Sequence, residues 1–162
     1  MMFDLEVAIN RNISKFKPQE LANTAWAFAT LNCPLPDALV RKLQDPNAGY
    51  HTFNPQNLAN TAWAFAKLNC PLPDALVREL QRPNAGYRAF KPQGLANTAW
   101  AFAKLNCPLP KALIRELQDP NAGYRAFKPQ ELANTAWAFA TSSNNHHSNQ
   151  CQQCNSVFRV RV

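Results

Sequence analysis

Residues 16–52 read FKPQELANTAWAFATLNCPLPDALVRKLQDPNAGYHT, and nearly the same letters return from Phe53 and again from Phe90. A fourth copy begins at Phe127, so the starts stand 37 residues apart. A fixed period of this size marks a stack of small supersecondary units, each burying its apolar face on its neighbours. The period therefore outweighs the plain reading of a 162-residue chain as one globular domain. It predicts an all-α fold, an α-solenoid of tandem antiparallel helix pairs. The units fall at 16–52, 53–89 and 90–126, with a partial unit at 127–141.

Two helices are expected in each unit. Pro18 suits the first helical position, where its missing N–H costs nothing, and Asn32-Cys33-Pro34 stops the run. On a helical wheel Leu21, Ala22, Ala25, Trp26, Phe28 and Ala29 gather on one arc, while Glu20, Asn23, Thr24, Ala27 and Thr30 take the other. The many alanines let neighbouring helices approach closely. A second helix starts near Pro36-Asp37, turning Leu39, Val40 and Leu43 inward and Arg41 and Lys42 outward. It ends at Asp45-Pro46-Asn47, because Pro46 cannot continue the hydrogen-bond ladder. Gly49 then permits a turn, and Tyr50 with Phe53 covers the joint to the next unit. One helix pair alone has too little apolar surface to be stable. Stacking supplies a continuous core, expected to wind as a right-handed superhelix.

The flanks read differently. Residues 1–15 lack a signal-peptide layout, and Asp4 and Glu6 argue against a transit peptide. They read as the remnant second helix of a preceding repeat, which makes the chain look like a segment of a longer array. Residues 142–162 are polar and of low complexity, which predicts a disordered tail.

Charged residues make up 17% of the chain, below the usual quarter, yet the net charge is +7. The excess is graded: the first unit is neutral, the second carries about two positive charges and the third about three. Such a balance suits a polyanionic partner, and equally a basic surface that only aids solubility. No apolar run approaches the roughly 18 residues of a membrane-spanning helix, so no membrane partner is expected. Cys33, Cys70 and Cys107 hold one position in successive units. Helices packed about 8–10 Å apart put such positions beyond the ~7 Å limit for a disulfide. Reduced, half-buried thiols in a reducing compartment are expected.

The stretch LANTAWAFA, at 21–29, 58–66, 95–103 and 132–140, resembles the heptatricopeptide and octotricopeptide repeats of organellar RNA-binding proteins. These include relatives of FAST kinase-like proteins, which often end in a RAP domain. The lysine- or asparagine-Pro-Gln lead-in and the 37-residue spacing agree with the heptatricopeptide type. The resemblance covers Phe16 to Thr141. It implies an α-solenoid that binds RNA in mitochondria or plastids and influences transcript processing, stability or translation. Nothing after Thr141 looks like a RAP domain.

No catalytic constellation repeats or converges, so the chain reads as non-catalytic, with no cofactor and no small-molecule substrate. His146 and His147 followed by Cys151 and Cys154 form a weak metal candidate, since two thiolates and an imidazole can hold zinc, although the spacing is nonstandard. The repeated polar stripe is the stronger candidate. Units differ at Glu20, Asn57, Gly94 and Glu131, and at Thr30, Lys67, Lys104 and Thr141, beside the unvarying Asn23, Asn60, Asn97 and Asn134. Stacked units would set these out as ladders. RNA-reading repeat proteins use such ladders, meeting one base with two or three side chains per unit. The expected RNA contacts are the four repeated asparagines with Asn57, the neighbouring Thr24, Thr61 and Thr98, and Lys67 and Lys104 on phosphates. Arg88 and Arg125, with His51 at the equivalent place, make a second and weaker basic row in the inter-unit loops. Trp26, Trp63, Trp100 and Trp137 are expected to pack between units rather than to stack on bases. The competing reading of the array is a protein-interaction scaffold that holds an extended peptide or a helix in its groove.

Overall fold

The computed structural model describes residues 2–121 and 123–145. Among these it is all-helical, as the period requires. The α-helices are α1 (Met2–Asn12), α2 (Pro18–Thr30), α3 (Asp37–Gln44), α4 (Pro55–Lys67), α5 (Asp74–Leu80), α6 (Pro92–Lys104), α7 (Lys111–Gln118) and α8 (Pro129–Asn145). Single 3-10 turns stand at Ile13–Lys15, Tyr50–Thr52, Tyr87–Ala89 and Tyr124–Ala126, each just ahead of a first helix.

The ends of the first helices follow from their sequence. Each begins with proline at its first or second position. In α2 the Glu20 carboxylate accepts the Lys17 N–H at 2.6 Å, and in α4 the Asn54 side chain accepts the Asn57 N–H at 2.8 Å. At the other end Asn32, Asn69 and Asn106 adopt φ of 54°, 55° and 56°. Asparagine tolerates this left-handed geometry better than most side chains. The next two N–H groups then fold back: Asn69 N–H reaches the Ala66 carbonyl at 3.0 Å and Cys70 N–H reaches the Phe65 carbonyl at 2.8 Å. This is a Schellman closure, and all three complete units share it.

Helices α2, α4, α6 and α8 pack side by side in one layer. Their seams are lined by buried alanines, including Ala25, Ala62, Ala64, Ala99 and Ala101. The second helices α3, α5 and α7 each lie on the first helix of their own unit, and α1 lies on α3. Between the layers Phe65 and Phe102 meet Leu76, Leu80, Leu113 and Leu117 in one continuous core. The joint residues act as expected: the Tyr50 and Phe53 rings sit 4.8 Å apart, and those of Tyr87 and Phe90 4.9 Å apart. The sequence did not reveal the hydrogen bond beneath them. Tyr50 Oη donates to the Leu43 carbonyl at 2.5 Å and Tyr87 Oη to the Leu80 carbonyl at 2.6 Å, closing the last turn of the second helix. Tyr124 does the same for Leu117.

Two expectations need correcting. The tail was placed from residue 142, but α8 continues through Asn145, with the Ser143 hydroxyl bonding back to the Phe139 carbonyl at 2.9 Å. The rest of that tail lies outside the described residues. Of the three thiols, Cys33 and Cys70 are half-buried, whereas Cys107 is buried. Leu132 of α8 is exposed where Leu21, Leu58 and Leu95 are buried, because no second helix covers α8 among the described residues.

Candidate functional site

Each first helix turns one stripe of side chains away from the core. In α2 it comprises Gln19, Asn23, Trp26 and Thr30, one per turn and all exposed. The same places hold Gln56, Asn60, Trp63 and Lys67 in α4, then Gln93, Asn97, Trp100 and Lys104 in α6. In α8 they hold Gln130, Asn134, Trp137 and Thr141. Asn60, Asn97 and Asn134 are half-buried, and Lys67 and Lys104 are exposed. The asparagine side chains make no hydrogen bond to another described residue, so their amides remain available on this face. The array thus carries parallel rows of glutamine, asparagine, tryptophan and threonine or lysine, with no carboxylate in them.

The tryptophans do pack between units, as expected, but the packing leaves part of the row exposed. Trp26 is 44% and Trp137 43% exposed, and Trp63 and Trp100 are half-buried. The ring of Trp63 lies 6.3 Å from that of Trp26 and 6.5 Å from that of Trp100, tilted by 32° and 35°. The indoles lean on one another at a tilt and remain partly exposed. Their position at the edge of the apolar arc, one turn from asparagine on one side and threonine or lysine on the other, was the available signal.

Other expected contacts are removed from the face. Thr61 and Thr98 are fully buried at 0% exposure, with hydroxyls bonded to the Asn57 carbonyl at 2.8 Å and the Gly94 carbonyl at 2.7 Å. They face the seam with the preceding first helix. Thr24 is half-buried, its hydroxyl donating to the Glu20 carbonyl at 2.7 Å. Asn57, at 5% exposure, also lies in a seam and cannot meet a ligand on the stripe. Arg88 lines a separate depression with Glu116 and Asp119, its guanidinium 4.0 Å from each carboxylate. Acidic neighbours and an exposed setting leave it little weight as a phosphate contact. Arg125 is exposed in the equivalent loop, and His51 in the first.

The opposite layer has a different character. A cleft of about 760 Å³ opens between the loop that follows α5 and the start of α7, walled by Pro83, Pro108, Leu109 and Ile114 and crossed by a 3.3 Å hydrogen bond from Arg115 to the Pro83 carbonyl. Burial pushes the Cys70 thiol up from its ordinary value, which disfavours the reactive thiolate. No cluster of three or more histidine, cysteine, aspartate or glutamate side chains occurs among the described residues. His146, His147, Cys151 and Cys154 lie outside them. No helix among the described residues is long and apolar enough to cross a membrane.

Fold and face together define a tandem helical-repeat protein with a periodic polar and aromatic surface. The family model described as a protein of unknown function, DUF1601, matches residues 4–24, 50–61, 84–98 and 121–135, together less than half of the chain. The last three segments each join an inter-unit turn to the start of a first helix. No curated protein and no solved structure matches the chain.

Proposed function

We propose that this chain is a non-catalytic module that binds single-stranded RNA across the outward face of its first-helix layer. The observation that carries this reading is the repeated grouping of an unengaged amide, a partly exposed indole and, in the second and third units, an ammonium group. Aromatic rings stack on bases of any sequence. Amides offer donor and acceptor together and so can read a base edge. Lysines hold phosphates and add affinity with little sequence information. The resemblance to organellar repeat proteins supports a role in transcript processing, stability or translation, in a mitochondrion or plastid. About four units would meet only a handful of bases.

The test is titration of a fluorescent single-stranded oligonucleotide at increasing salt. Affinity should fall with a log–log slope of about 0.7 per phosphate neutralised. Lys67→Ala with Lys104→Ala should flatten that slope, while Asn60→Ala with Asn97→Ala should change which bases are preferred. Absence of binding at low salt overturns the reading.

The cleft between the loop after α5 and the start of α7 favours a second reading, an interaction scaffold for an extended peptide. Salt-insensitive binding of a proline-rich or apolar peptide, lost on Ile114→Asp, would support it over RNA.

A further inference from the structure

The third residue of each first helix is the position at which the units differ most. Glu20 and Glu131 accept the backbone N–H groups of Lys17 and Lys128, at 2.6 and 2.7 Å. Asn57 is buried in the seam. The third unit has Gly94, which has no side chain to extend into the seam and lines a cavity there. Between α4 and α6 lies a cavity of about 320 Å³, floored by Ala59 and Gly94 and walled by Gln56, Asn60, Gln93 and Asn97, with Lys91 at its rim. A Cβ built on Gly94 would come 3.6 Å from Ala59 Cβ and 3.4 Å from Phe90 Cδ2, ordinary contact distances, so a side chain fits at this edge of the cavity without a clash at its first atom. By the 37-residue register, Asn57 fills the equivalent place in the α2–α4 seam and Glu131 stands there in the α6–α8 seam.

We propose that the α4–α6 seam takes a single unstacked nucleobase of the bound strand, an inference that rests on the RNA reading above. The cavity is at the small end of the roughly 300–1,000 Å³ range of ligand sites, which suits one planar group rather than a larger ligand. Its floor, Ala59 and Gly94, is apolar and carries no bulky side chain. Four amides from two helices surround it, each able to match either a donor or an acceptor on a base edge. Lys91 stands where the adjoining phosphate would pass. The neighbouring seams are occupied by the chain's own side chains, so one base is held differently from its neighbours and sets the register of the strand.

Gly94→Gln fills the cavity without adding charge. Glutamine can also cap Lys91 N–H as Glu20 caps Lys17, so the variant should melt no lower than the natural chain. The probe is a set of short single-stranded oligonucleotides, each with one abasic position moved along the strand. The natural chain should lose affinity roughly tenfold at one abasic position and much less elsewhere. Gly94→Gln should bind the intact strand about tenfold more weakly and show no such position. Equal binding of intact strand by both proteins, with no position singled out, overturns the pocket and leaves the RNA reading standing. No binding of any strand by either protein at low salt overturns both. Because the abasic series uses the natural chain, the test holds even if the variant folds poorly.

Discussion

The two layers of this solenoid are built on opposite terms. The first helices α2, α4 and α6 are 13 residues long, each start at a proline, share the same C-terminal closure and meet along alanine seams. The second helices are seven or eight residues long, begin after a proline and leave an apolar cleft between the loop after α5 and the start of α7. Close packing fixes the spacing of everything mounted on the first layer, and the RNA reading proposed above requires such fixed spacing. The looser layer has room to adapt, which suits support rather than readout.

Substitutions can break this contrast in graded ways. The largest effect is expected for Phe65→Ala, which empties the core beneath both layers and should cost about 3–5 kcal/mol in denaturant unfolding. Next is a matched pair. Ala62→Leu enlarges a fully buried seam residue and should cost about 1–3 kcal/mol, whereas Ala112→Leu, half-buried beside the cleft, should change stability by about 0.5 kcal/mol or less. Similar costs at the two sites would show that the layers are equally tight. Tyr87→Phe leaves the buried Leu80 carbonyl without its hydroxyl partner and should cost about 1–2 kcal/mol. The smallest effect is in alkali. Burial pushes the Tyr50 and Tyr87 hydroxyls well above the ordinary tyrosine range. The unfolded chain therefore ionises first, so this part of the stability is complete at neutral pH and is lost as pH rises beyond about 10. Replacing both tyrosines by phenylalanine should flatten that alkaline loss, as followed by thermal melts from pH 8 to 11.

Much of the fold could be read from the letters because each unit repeats its own punctuation. Pro18 and Asn32 mark where α2 begins and ends, and Pro46 and Gly49 mark the joint. Part of the site was hidden for a geometric reason. A helical wheel assumes one buried arc, but an interior helix of this array is flanked on both sides as well as beneath. Thr24, with no first helix before it, is half-buried, while its equivalents Thr61 and Thr98 are sealed. Nothing in their chemistry warns of this, since a threonine hydroxyl can satisfy itself on the carbonyl four residues back. The tryptophans differ the other way. They pack between units as size and apolarity suggest, but their place at the arc's edge leaves part of the row exposed. Gly94 differs from its counterparts in plain letters, yet only the placement of α6 beside α4 shows that it lines a cavity.

All four tryptophans of the chain stand on the first-helix layer, so their indole N–H resonances report on that layer alone. Titration with single-stranded RNA, followed in a nitrogen–proton correlation spectrum beside the methyl signals of Val77 and Ile114, therefore separates the two layers. The account predicts that the indole signals, those of Trp63 and Trp100 above all, shift saturably while the methyl signals stay in place. Unmoved indoles, or shifts confined to the methyl groups of α5 and α7, would contradict it.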